Sequence, residues 1–208
     1  MKKIFQILFA SSNAGKFGEV QAVAAEYAIR VINPQVLFSE RVGDDDRIAE
    51  LANPPQVEEN AESYLGNARL KAEAFYRWSA MPSLADDTGL EVAALDNQPG
   101  VYSARYAGAD GDSGRNIEKL LRNLKNIQDR KAVFRCVICL CYGKDQSMTA
   151  EGFLAGEITC DPRGFGGFGY DSVFYLPSYG KTLAEIKEEG INVVTHRVLA
   201  CRELFSRL

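Results

Sequence analysis

Apolar positions along the chain fall into short runs that switch between strand-like and helix-like spacing. Residues 4–10, Ile-Phe-Gln-Ile-Leu-Phe-Ala, are almost continuously apolar and predict a buried strand. From Lys16 to Tyr27, Val20, Val23, Ala24 and Tyr27 recur at helical spacing. Val36–Phe38 reads as a short strand, followed by a polar loop from Gly43 to Gln56 that holds Asp44-Asp45-Asp46 and Pro54-Pro55. A helix is predicted from Asn60, a capping residue, to Trp78, with Leu65, Ala68, Ala72 and Phe75 as its apolar face. Ser83–Ala85 and Leu90–Ala94 read as strands on either side of Asp86-Asp87, and Ile117, Leu120, Leu121 and Leu124 mark a further helix. Ala132–Tyr142 and Met148–Ile158 pattern as a long hairpin turning at Gly143-Lys144-Asp145. Val173–Leu176 predicts a strand and Leu183–Glu188 a short helix. Thr195–Leu208 predicts a closing helix with Val198, Cys201, Phe205 and Leu208 on one stripe. Strands that alternate with helices early and pair as a hairpin late predict a mixed-sheet α/β fold.

Composition narrows the class. With 208 residues, 46 % of them hydrophobic, the chain can bury a large core as a single domain, or as two lobes sharing one sheet. A formal net charge of −4 argues against non-specific nucleic-acid binding, which draws on broad Lys/Arg surfaces. No apolar stretch is long enough to span a bilayer. The seven-residue run after Met1-Lys2-Lys3 is too short for a secretory signal and leads straight into a Gly-Lys loop. Five cysteines are not a disulfide framework; in the run Ala132–Tyr142, period-2 geometry puts Cys139 and Cys141 on one face and Cys136 on the other. They read as buried thiols, and the expected location is the reducing cytoplasm.

Several segments carry candidate chemistry. Asp86 and Asp87 are adjacent carboxylates, which repel unless a cation or a shared proton relieves them. At the end of a buried strand the usual relief is a hard divalent ion such as Mg²⁺. The competing reading is an acidic turn, with Thr88-Gly89 reversing the chain. Ser11-Ser12-Asn13-Ala14-Gly15-Lys16 links a strand to a helix, where backbone N–H groups and the positive helix end suit phosphate. It is not a Walker A loop, because Ala10 and Phe17 stand where that pattern needs Gly and Ser or Thr. A plain turn with a solvated Lys16 is the alternative.

Glu58 and Glu59 precede a predicted helix start, where the macrodipole favours carboxylates in any case. Asn67 and Lys71 lie on one helix face. The run Gly164-Phe165-Gly166-Gly167-Phe168-Gly169-Tyr170-Asp171 is too glycine-rich for a strand interior. Its Phe168 either plugs a turn or stacks on a base. His196, the only histidine, sits at a helix start with Thr195 as a candidate cap, a position that favours a neutral imidazole.

Read in order, these segments resemble the Ham1-like non-canonical purine NTP pyrophosphatases, also called inosine triphosphatases. The resemblance is carried by Ser11–Lys16, Glu58-Glu59-Asn60, Asn67–Ala72, Leu84–Gly108, Pro162–Asp171, Gly180-Lys181-Thr182 and Thr195-His196-Arg197. It runs from residue 4 to about 205. Ser172 stands where the family usually has Pro, and Asn60–Gly66 replaces the common Thr-Gly-x-Thr-Phe-x-Glu.

The resemblance implies an elongated mixed β-sheet with flanking helices, forming two lobes around a central active-site cleft. It implies Mg²⁺-dependent cleavage of ITP, dITP and XTP to monophosphate and pyrophosphate, by a homodimer. Carried over residue by residue, Asp87 and Asp86 are catalytic and Glu59 and Asp87 hold the metal. The substrate-binding set is Ser11, Ser12, Asn13, Ala14, Gly15, Lys16, Lys71, Thr88, Phe168, Gly169, Tyr170, Asp171, Lys181, His196 and Arg197. Within it, Lys16, Lys71 and Lys181 are expected on the phosphates, and Arg197 with His196 on the purine 6-keto group. A Maf-like pyrophosphatase of different base choice, or a non-catalytic nucleotide-binding regulator, are the alternatives. His196-Arg197 argues against the first, and the intact Asp86-Asp87 pair with Glu59 against the second.

Overall fold

β1 (Gln6–Phe9) runs into α1 (Ala14–Glu26), and β2 (Arg30–Ile32) into α2 (Pro34–Arg41). α3 (Tyr64–Ser79) leads to β3 (Ser83–Val92) and the two-residue β4 (Gln98–Pro99), with α4 (Ser113–Asn123) beyond. The hairpin β5 (Lys131–Gly143) and β6 (Gln146–Ile158) is followed by β7 (Phe174–Leu176), β8 (Lys181–Thr182), α5 (Leu183–Glu188) and α6 (His196–Phe205). The structure, a computed structural model, describes residues 4–41, 53–108 and 111–208. The strands form one sheet in the order β2-β1-β3-β5-β6-β7-β8, with β4 added on β3. β1 is parallel to both β2 and β3, whereas β3–β4, β6–β7 and β7–β8 are antiparallel. This is the mixed α/β arrangement that the alternation of periods predicts.

Four local expectations change. Val36–Phe38 is helical: Asn33 Oδ1 accepts the Val36 N–H at 2.8 Å and Pro34 opens α2, so a cap and a first-turn proline outweigh three consecutive apolar residues. β2 is an addition that its three residues were too few to signal. α3 starts at Tyr64, capped by Ser63, which accepts the Gly66 N–H at 3.1 Å, and not at Asn60. The two strands expected around the aspartates are one, because β3 runs unbroken from Ser83 to Val92 and Thr88-Gly89 makes no turn. Most of the polar loop expected from Gly43, residues 43–52, lies outside the described residues.

The chain divides into two compact units, one from the described parts of 1–87, 136–152 and 197–208, the other from those of 88–135 and 153–196. In the first, strand alternation sorts side chains onto two faces. Ile7, Phe9, Leu84, Cys136 and Ile138 pack with Val20, Val23 and Ala24 of α1 and Ala200, Cys201, Leu204 and Phe205 of α6. Leu8, Ala10, Ala85, Cys139 and Cys141 pack with Leu37 of α2 and Ala68, Ala72 and Phe75 of α3. The cysteines thus separate onto the two faces as their spacing predicts. The second unit closes around Leu90, Val92, Leu120, Phe134, Ile158, Phe174, Leu183 and Ile186.

Candidate active site

The same alternation decides what the two aspartates meet. Asp86 shares the parity of Leu84 and so faces α1 and α6; Asp87 shares that of Ala85 and faces α3. Lys16 Nζ lies 2.9 Å from Asp86 Oδ2, and Arg197 Nε donates to the same oxygen at 3.1 Å. Arg197 Nη1 reaches Glu19 Oε2 of α1 at 2.8 Å. Burial alone would raise the pKa of Asp86, but Lys16, Arg197 and Lys71 outweigh it and hold the carboxyl far below the usual range. The repulsion expected between neighbouring carboxylates is therefore relieved for Asp86 by protein cations. Arg197, expected on the base, has its guanidinium buried between two carboxylates on the α1 side of the sheet.

On the other face, Asn67 Nδ2 donates to Asp87 Oδ2 at 3.0 Å, while its Oδ1 accepts the Ala61 N–H at 2.9 Å. One amide thus fixes both the approach to α3 and the carboxylate. One turn further along α3, Lys71 pairs with Glu59 at 2.7 Å. Burial pushes the pKa of Asp87 up, with the Glu59 charge adding to the effect; Lys71, Asn67 and Lys16 oppose it without cancelling it. The β1–α1 loop is built around Asn13, whose Oδ1 accepts the Lys16 N–H at 3.0 Å while its own N–H donates to Ser11 Oγ at 3.2 Å. A cavity of about 750 Å³ is lined by Ser11, Ser12, Asn13, Lys16, Glu59, Lys71 and Asp86, together with Pro34, Gln35 and residues 53–57. Ala14 and Gly15 form the first turn of α1 beside it.

In the second unit, the glycine-rich loop presents Phe168, 38 % exposed. Its N–H donates to Asp171 Oδ2 at 2.9 Å. Gly169 is left-handed at φ 63° with open space where a Cβ would stand. Tyr170, expected on substrate, is buried and donates its hydroxyl to the Ser103 carbonyl at 2.9 Å. Lys181 is ion-paired with Glu189. His196 is buried, with its ring stacked on Phe134 at 4.9 Å between centroids and 15° between planes. Thr88 is half-buried on β3, the residue after Asp87. Glu19 and Lys187, which engage Arg197 and Asp171, had no signal in the sequence, since their partners are 178 and 16 residues away. Asn67 was placed on the right helix face by its spacing from Lys71.

A mixed α/β sheet with an interior strand that carries two buried carboxylates, flanked by a capped strand-to-helix loop and two lysines, defines the class. The Ham1 family model matches residues 7–207. The chain is 39 % identical to a dITP/XTP pyrophosphatase of Halalkalibacterium halodurans, covering 95 % of each chain. It is 40 % identical to a dITP/XTP pyrophosphatase of Aquifex aeolicus, covering 96 % of this chain and 94 % of that one. A solved HAM1 protein from Coxiella burnetii superposes with a TM-score of 0.81 at 35 % identity, over 98 % of both chains. The chain belongs to the Ham1 family.

Proposed function

We propose that this protein is a Mg²⁺-dependent pyrophosphatase that hydrolyses ITP, dITP and XTP to the nucleoside monophosphate and pyrophosphate, clearing them from the nucleotide pool. The observation that carries this reading is Asp87, a buried carboxylate oriented by Asn67 beside Glu59, Lys71 and Lys16. The names of relatives matched over nearly the whole chain support the substrate class.

Asp87 and Glu59 suit Mg²⁺, a hard cation that takes one or two carboxylates and leaves its remaining positions to waters and phosphate oxygens. Burial first, and the nearby Glu59 charge after it, raise the pKa of Asp87, and a bound cation would oppose both. When bound, Mg²⁺ would neutralise charge that builds on the phosphates.

Asp87 accepts the proton of the attacking water. The water oxygen bonds to the α-phosphorus as the α–β anhydride bond breaks, and the electron pair of that bond leaves with pyrophosphate. Lys16, Lys71 and the backbone of Ser11–Lys16 receive the phosphates, where each charge-assisted contact contributes about 1.5–3 kcal/mol. Asp86 serves this group by pairing with Lys16, and Arg197 holds Asp86 in place. Phe168 stacks on the purine. The five free cysteines, four of them buried, support a reducing cytoplasm, and the family resemblance supports a homodimer.

Pyrophosphate release from a panel of ITP, XTP, GTP and ATP, with and without Mg²⁺, tests the activity. Asp87→Asn keeps size but loses basicity, so turnover should fall by roughly two to four orders of magnitude. A folded variant with near-wild-type turnover would refute the role of Asp87.

A further inference from the structure

The glycine-rich loop is organised around a cation. Lys187 on α5 places Nζ 2.9 Å from Asp171 Oδ2 and 5.0 Å from the centroid of the Phe168 ring. The same Asp171 oxygen accepts the Phe168 backbone N–H at 2.9 Å. A single carboxylate oxygen therefore ties the backbone of the aromatic residue to the ammonium that covers its ring.

Two glycines let the loop backbone pack closely there. Gly167 is held at φ +82°, and a Cβ on it would come within 2.1 Å of Asp171 Oδ2 and 3.0 Å of Lys187 Cδ. Gly166 is pressed onto α5, where a Cβ would meet the Ala184 carbonyl oxygen at 2.5 Å and the Glu188 nitrogen at 2.7 Å. The Asp171 carbonyl accepts the Ala184 N–H at 3.1 Å, stitching the far end of the loop to the same helix. Lys181, the other lysine singled out in this part of the chain, pairs with Glu189. Even with the ammonium seated over the ring, Phe168 stays 38 % exposed.

We propose that Lys187 is a positioning residue for base recognition, fixing the Phe168 ring through Asp171 and a cation–π contact so that a purine stacks on the ring's remaining surface. The inference rests on the reading of Phe168 as the base-stacking residue. A ring already held in one orientation loses little rotamer freedom when the base arrives, and that saved entropy appears as affinity. Lys187 thereby acts on binding of the base and not on the chemical step. It leaves the phosphates to Lys16 and Lys71.

Steady-state kinetics of Lys187→Met, Lys187→Arg and Phe168→Leu with ITP, alongside inhibition by inorganic triphosphate, a probe without a base, test this. Lys187→Met should raise KM for ITP about ten-fold with kcat little changed. Lys187→Arg should restore most of the loss, and inhibition by triphosphate should stay as in the wild type. An unchanged KM in Lys187→Met, or triphosphate weakened in step with ITP, overturns the proposal. Phe168→Leu separates the two levels. If it too leaves KM for ITP unchanged, the stacking reading falls and Lys187 with it; if it raises KM while Lys187→Met does not, only the role of Lys187 is overturned.

Discussion

Arg197 is the largest of the fully buried side chains, with its guanidinium between Asp86 on β3 and Glu19 on α1. A buried charge is tolerated only when its partners satisfy it, and removing one member strands the others. Arg197→Met should therefore cost about 3–5 kcal/mol in denaturant unfolding at neutral pH. Adding Asp86→Asn and Glu19→Gln to it should recover part of that loss; full additivity of the three would mean that the groups do not act as a unit. At this scale the residue types were legible and their pairings were not. Asp86, Asp87, Lys16 and Lys71 stood out by chemistry and spacing, but which carboxylate faced which cation depended on β3 being continuous. The Thr88-Gly89 pair, an ordinary turn signal, concealed that continuity.

Among the elements, long periodic segments were the legible ones, and ends and short pieces were not. The β5–β6 hairpin turns at Lys144-Asp145, inside the segment its pattern indicated, with Asp145 left-handed at φ 56°. The start of α3 was misplaced because Asn60 and Ser63 are both good caps, and the choice between them is made by tertiary contacts. Asn67 pins Ala61 and so holds residues 61–63 off the helix axis. Ser63→Ala should then destabilise the protein by about 1 kcal/mol through loss of the cap on Gly66, whereas Asn60→Ala should stay within about 0.5 kcal/mol of the wild type. Thermal unfolding of the two variants measures the contrast, and equal losses would put the cap elsewhere. Because α3 carries both Asn67 and Lys71, fraying of its first turn should also slow turnover in Ser63→Ala.

For the molecule as a whole, its thiols give a direct reading of how closed the two faces of the sheet are. Cys136, Cys139, Cys141 and Cys201 are buried and Cys160 is exposed. Burial pushes the Cys139 thiol up to about 11 and raises Cys141 and Cys201 as well. A thiolate is the reacting species, so a disulfide reagent should titrate one thiol in the native protein and five after denaturation. Raising the pH to about 9 should leave Cys139 silent, since that is still below its raised value. Two or more fast thiols in the native state would show at least one of the two faces to be open.

The interleaving of the two units along the chain bears on how the protein is made. The first unit needs residues from three separated stretches, the last of them 197–208, and the second is supplied in two visits. A ribosome delivers residues in order, so Asp86 emerges long before Arg197, and β1 and α1 wait for Cys201, Leu204 and Phe205 to close their face of the sheet. Until residues 197–208 emerge, the nascent chain carries a buried-charge site without its arginine and a sheet face without α6. The half of the molecule that is begun first is thus the half that is completed last, and it is that half which holds Asp87.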